Sequence, residues 1–200
     1  MSLKIGVDLD NTVVVYNELI LDICYEEGIK IPPDLFTKEA ISDFLKATGR
    51  NKEWTDIQAL IYGPEMCRAK LAPGFSEFSA LVFKTNSKLT LISNRSYYAA
   101  HDTEEKYNLH SCAKNWIEKN LPCTFESVNF ENSTGNKIRL ASASNLDYFI
   151  DDLDEMVSGI NVKIECIKIN NQASMFQIKN KESPNVVLNW FGIAKKIFGS

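Results

Sequence analysis

No stretch of this chain stays apolar for the roughly 20 residues that a membrane-spanning helix needs, and none is repetitive or of low complexity. Cysteine is sparse and unpatterned. Cys24, Cys67, Cys112, Cys123 and Cys166 are odd in number and never spaced as CxxC, which argues against a disulfide framework and a thiolate zinc site. His101 and His110 are the only histidines, and their spacing is not that of a metal site. Basic residues are outnumbered, 22 Lys and Arg against 26 Asp and Glu, for a net charge of −4. That balance excludes generic binding to a nucleic-acid polymer or an anionic membrane, while a local basic site for a small phosphate stays possible. The chain enters an apolar segment at once, with neither a basic leader nor a small-residue cleavage site, so the expected location is cytoplasmic. Oligomeric state is not legible.

What is present is enough for one well-buried domain with room for an insertion: 200 residues, 44% of them hydrophobic. Apolar runs and their punctuation predict strands at 3–7, 89–92, 125–130, 148–150 and 164–169, with helices at 76–83, 104–119, 137–143 and 186–197. Between residues 16 and 71 the pattern turns helical. Leu19, Ile20, Ile23 and Cys24 recur at helical spacing, as do Ile41, Phe44 and Leu45, then Ile57, Leu60 and Ile61. Thr37 and Asn51 stand where helices would start. Alternating strands and helices imply an α/β fold, a mostly parallel sheet covered on both faces.

Parallel sheets bind ligands beyond the carboxyl ends of their strands, so the residues that follow each strand carry the information. Asp8 and Asp10 follow the first strand; as i and i+2 of an extended segment they point the same way. Such a pair suits phosphoryl transfer, one carboxylate attacking phosphorus while the other handles the leaving-group proton. Ser93, Asn94 and Arg95 follow the strand at 89–92, and Asp151 and Asp152 follow the one at 148–150. Between them Lys137 stands near the start of a helix, with Lys114 and Lys119 as rival cations.

A strand ending in DxDxT, a strand ending in Ser, a Lys and a strand ending in DD, in this order, resemble the haloacid dehalogenase-like (HAD) hydrolase superfamily. The resemblance implies a three-layer Rossmann-like core over residues 1–15 and 72–200, with an all-helical cap at 16–71 inserted after the first strand. It implies Asp8 as nucleophile and Asp10 as acid and base, Mg²⁺ held by Asp8, the Asp10 backbone carbonyl and Asp151, with Asp152 either a further ligand, directly or through water, or a hydrogen-bond acceptor behind the ligands, and phosphate held by Ser93 and Lys137. Asn94 and Arg95 join the phosphate set, Arg95 as a clamp for an anionic substrate. Thr12 is expected to fix the acidic loop by hydrogen bonding.

The helical insertion and the Ile150-Asp151-Asp152 ending look like the 5'(3')-deoxyribonucleotidase group. The segments Asp8 to Tyr16, Tyr107 to Trp116 and Phe149 to Asp152 are similar to an uncharacterised bacterial branch of the superfamily. Both imply a small phosphorylated metabolite, a sugar phosphate or a nucleotide-like compound. Tyr16, Arg68 and Arg95 are the specificity candidates, and a phosphate-binding or regulatory protein with little turnover is the rival reading.

Overall fold

The computed structural model describes residues 2–99, 107–160, 163–170 and 186–199. In chain order, β1 (Lys4–Val7) and β2 (Val14–Val15) precede helices α1 (Asn17–Glu26), α2 (Lys38–Ala47) and α3 (Asn51–Tyr62), then a 3₁₀ helix at Pro64–Arg68. Next come β3 (Lys70–Leu71), α4 (Phe75–Lys84), β4 (Lys88–Asn94), α5 (Leu109–Asn120), β5 (Ser127–Glu131) and α6 (Thr134–Ala143). The chain continues through β6 (Tyr148–Asp151), α7 (Asp154–Gly159), β7 (Glu165–Ile169), β8 (Val186–Val187) and α8 (Trp190–Phe198). Two compact units result, one of Met1–Val15, Leu71–Arg95 and Cys123–Ser200, the other of Tyr16–Lys70 and Ser96–Pro122.

The first unit is built on a six-stranded sheet in the order β5-β4-β1-β6-β7-β8, with each neighbouring pair parallel; β2 and β3 pair separately. From β1 the chain winds first to β4 and β5 on one side, then returns to β6 on the other. That reversal opens a crevice at the carboxyl end of β1, where sheets of this kind bind ligands. In register, Val7 pairs with Leu91 on one side and Ile150 on the other, so Asp8, just past β1, comes out level with Ile92 and Asp151, with Ser93 one residue further along β4.

Side-chain alternation divides the core between the two faces. Ile92, Phe149 and Cys166 pack with Ala141 of α6 and Met156 of α7. Opposite them, α4 and α8 lock together through Trp190, whose ring lies 4.8 Å from Phe75 and 4.7 Å from Phe78. This is the three-layer, Rossmann-like arrangement expected. Gly6, in the middle of β1, leaves the space that Phe149 and Leu146 fill; a Cβ there would meet their atoms at 2.4 and 2.6 Å.

The second unit is helical. Thr37 caps α2, its hydroxyl accepting from the Ala40 N–H at 3.2 Å, and Ile41, Leu45, Trp54, Ile57 and Ile61 are buried between the helices. Its makeup differs from the expected 16–71 segment, because residues 96–122 belong with it. The indole N–H of Trp116 on α5 donates to the Ala69 carbonyl at 2.9 Å in a buried setting, which ties the two segments together.

Several element limits differ from expectation: β4 continues through Ser93 and Asn94, which were expected to follow it, β5 starts at Ser127, and α6 starts at Thr134, three residues before Lys137. Helix α5 begins at Leu109, where Asn108 caps it by accepting from the Ser111 N–H at 2.9 Å; residues 104–106 lie outside the described ones. The helix expected over 186–197 starts only at Trp190, with Asn189 as its cap, since Val186 and Val187 pair with β7 as a short strand. Helix α7 was not expected from the sequence pattern.

Candidate active site

Asp8 directly follows β1, and its N–H donates to the Ile150 carbonyl at 3.0 Å, extending the ladder by one residue and fixing where its side chain emerges. Asp151 ends β6 and is wholly buried, and Asp152 is the next residue. Carboxylate oxygens of Asp8, Asp151 and Asp152 all lie within 4.8 Å of one another. Lys137 reaches this group from the first turn of α6, whose start is set by Ser133 accepting from the Asn136 N–H. Its Nζ stands 2.6 Å from Asp8 Oδ1 and 2.6 Å from Asp151 Oδ2, with the side chain 1% exposed. Lys114 and Lys119, the rival cations, are exposed on α5.

The electrostatics follow from this crowding. Burial works against the charge of Lys137, but the attraction of Asp8 and Asp151 outweighs it and holds the ammonium's pKa above its ordinary value. Asp151 is also pushed up, from 3.8 to about 7, first by burial and then by the Asp8 carboxylate, against the opposing pull of Lys137; for a carboxyl this shift disfavours the charged form. The Lys137 ammonium is thus shared by Asp8 and Asp151, with the Asp152 carboxylate beside them, and carboxylate oxygens gathered in this way are the hard ligands that a divalent cation takes. Asp8, Asp151 and Asp152 fit such an ion.

Asp10 is arranged differently. Its side chain stands outside that trio, and its Oδ1 is 2.5 Å from Arg95 Nη2 in a pair whose arginine is 2% exposed. Arg95, expected to clamp substrate, therefore has its guanidinium on the second carboxylate of the DxD pair. Two further anchors of the acidic loop escaped the sequence reading. Asn11 donates from Nδ2 to Asp152 Oδ2 at 3.1 Å, and the buried Trp190 indole N–H donates to the Thr12 carbonyl at 2.9 Å. An Asn in a tight turn beside two acids was the available signal for the first; nothing local could have revealed the second.

Ser93 lies on β4 and is 1% exposed, and among the described residues its buried Oγ has no hydrogen-bond partner. A buried hydroxyl without a partner costs free energy, so it is a ready donor for an incoming anion. Asn94 is exposed and its amide reaches Thr134 Oγ1 at 3.4 Å, a long contact.

The remaining candidates belong to the helical unit and have structural partners there. Arg68 is bound by Glu26 at 2.8 Å and Glu65 at 2.9 Å, with Asp22 at 3.3 Å. Tyr16 is buried and meets Tyr62 edge-on at 5.3 Å. His110 stacks on Tyr97, ring centres 4.1 Å apart. His101 lies outside the described residues. No helix among the described residues is long and apolar enough to cross a membrane.

No protein-family model matches the sequence, and no curated protein matches it. Solved structures do. The chain is similar to a HAD-superfamily hydrolase from Ehrlichia chaffeensis, at 17% identity and a TM-score of 0.53 over 98% of this chain and 97% of that one. It is similar to a haloacid dehalogenase-like family hydrolase from Xanthomonas campestris, at 12% identity and a TM-score of 0.56 over 99% and 95%. A predicted phosphatase from Clostridium acetobutylicum gives 16% identity and a TM-score of 0.61 over the full length of both chains. The chain has the fold of the HAD-superfamily hydrolases.

Proposed function

We propose that this chain is a Mg²⁺-dependent phosphatase that hydrolyses a small phosphomonoester through an aspartyl-phosphate. The observation that carries the proposal is the cluster at the carboxyl edge of the sheet: Asp8 gripped by Lys137 beside Asp151 and Asp152, with the orphan Ser93 hydroxyl on the neighbouring strand.

In the first half-reaction an Asp8 carboxylate oxygen forms a bond to phosphorus as the bond to the leaving oxygen breaks, and Asp10 delivers a proton to that oxygen. In the second, water attacks the phosphorus of the aspartyl-phosphate, Asp10 takes the proton, and the Asp8–phosphorus bond breaks to release inorganic phosphate. Ser93 Oγ donates to a nonbridging phosphate oxygen, and Lys137 supplies fixed positive charge as electrons gather on the phosphoryl group. Asp8, Asp151 and Asp152 would hold the Mg²⁺ together with the Asp10 carbonyl. When bound, the ion offsets the repulsion between these carboxylates and an anionic substrate. Arg95 holds the Asp10 carboxylate.

The helical unit leaves the core at Tyr16, after the Asp8–Asp10 loop, and again at Ser96, after Ser93 and Arg95. Both departures follow site-bearing strands, which supports its reading as a cap that selects the leaving group, a sugar phosphate or nucleotide-like metabolite. None of the five cysteines is in a disulfide, which suits a reducing compartment such as the cytoplasm.

The test is hydrolysis of p-nitrophenyl phosphate with and without Mg²⁺ by wild type and Asp8→Asn, followed by a panel of sugar phosphates and nucleoside monophosphates. Wild-type turnover that needs Mg²⁺ and vanishes in a folded Asp8→Asn variant is the expected result. Undiminished Mg²⁺-dependent turnover by that variant refutes the mechanism, and tight phosphate binding without turnover by wild type favours the regulatory reading.

A further inference from the structure

We propose that Asn11 is a positioning residue for the metal site: its side-chain amide holds the Asp152 carboxylate toward Asp8 and Asp151 and so sets the affinity for the divalent cation. The inference rests on the metal part of the reading above and extends it to a residue that neither the reaction nor the metal otherwise requires.

Asn11 adopts a φ of 58°, in the left-handed region where glycine is the easy choice. On backbone grounds alone Gly would serve this turn with less strain. The Asn side chain adds what Gly lacks, a donor, and that donor is spent on Asp152 Oδ2 at 3.1 Å across 141 positions of sequence. The contact is sheltered, for Asn11 is buried.

The chemistry of the donor matters. Asp152 faces two other carboxylates within 4.8 Å, and their repulsion drives a half-buried side chain outward toward solvent. A neutral amide orients one oxygen and leaves the negative charge in place. Hydrogen bonds of this kind to metal-binding carboxylates are worth about 10–100-fold in metal affinity.

The experiment titrates Mg²⁺ alone, by calorimetry, into wild type, Asn11→Gly, Asp152→Asn and the double variant, and measures the thermal unfolding of each in EDTA. Glycine accepts the positive φ, so Asn11→Gly removes the amide without straining the turn. We expect its Mg²⁺ dissociation constant to rise about 10-fold or more, with the EDTA melting temperature kept and the double variant no weaker than Asp152→Asn alone. Wild-type Mg²⁺ affinity in Asn11→Gly, losses that multiply in the double variant, or a lowered melting temperature in EDTA with unchanged affinity each overturn the inference while leaving the phosphatase reading intact. A wild-type protein that binds no Mg²⁺ overturns both the inference and the metal reading beneath it.

Discussion

Arg95 Nη2 and Asp10 Oδ1 meet at 2.5 Å, joining the end of β4 to the acidic loop across 85 positions of sequence, with the two side chains 2% and 17% exposed. Removing one partner of a buried pair costs about 3–5 kcal/mol because the other charge is left behind. Asp10 still reaches solvent, so Arg95→Met should fall at the low end of that range in urea unfolding. Adding Asp10→Asn to Arg95→Met should recover part of the loss, and a double-mutant cycle with no coupling would show that the pair contributes nothing.

Stability without metal should depend on pH through Asp151. In the folded chain burial and the Asp8 carboxylate raise its pKa from 3.8 to about 7. A carboxyl raised on folding contributes stability that is complete below 3.8 and is lost as the pH climbs through about 7. In EDTA, wild type should therefore lose stability relative to Asp151→Asn between pH 4 and 7.5, since the amide does not titrate. Urea unfolding of both proteins across that interval checks it, and parallel profiles refute it.

The cysteines should separate by reactivity. Cys67 and Cys123 are exposed, whereas Cys24 and Cys166 are buried; burial above all raises both buried thiols, Cys166 to about 12. The thiolate is the reacting form, so a chromogenic disulfide at pH 8 should modify Cys67 and Cys123 rapidly, Cys112 more slowly, and Cys24 and Cys166 only once the chain unfolds. Peptide mapping identifies each thiol, and early modification of Cys166 contradicts the burial described.

The parts of the site legible in the sequence are those set by topology. Parallel strands deliver their carboxyl ends to one edge, so Asp8, Ser93 and Asp151 could be grouped from strand order alone. The pairings within that edge were not legible. Whether Arg95 turns to a substrate or to Asp10 depends on side-chain packing between β4 and the acidic loop, and no local pattern encodes it. The same limit explains α5: its amphipathic pattern shows that it buries one face, but the Trp116 bond to Ala69 decides that the face belongs with the helical unit. Val186 to Leu188 extend an amphipathic run, and a short apolar stretch suits strand or helix equally until β7 offers an edge.

Gly6 should prove intolerant of even a methyl group. It sits two residues before Asp8 in β1, and a Cβ would meet Phe149 Cδ2 at 2.4 Å and Leu146 Cδ1 at 2.6 Å. Both neighbours are themselves buried in the cluster that packs α6 and α7 on the sheet, which leaves little room to give way. Overpacking of this kind costs about 1–3 kcal/mol, so Gly6→Ala should lower the urea midpoint by a corresponding amount. Relief by displacement of β1 would also move Asp8 relative to Lys137, since α6 rests on Phe149 as well. Gly6→Ala should then lose turnover beyond what its unfolded fraction explains, whereas the pair Gly6→Ala with Leu146→Ala, which opens space beside the new methyl, should recover part of the activity. Wild-type stability in Gly6→Ala would mean that β1 and Phe149 are less tightly apposed than these distances require.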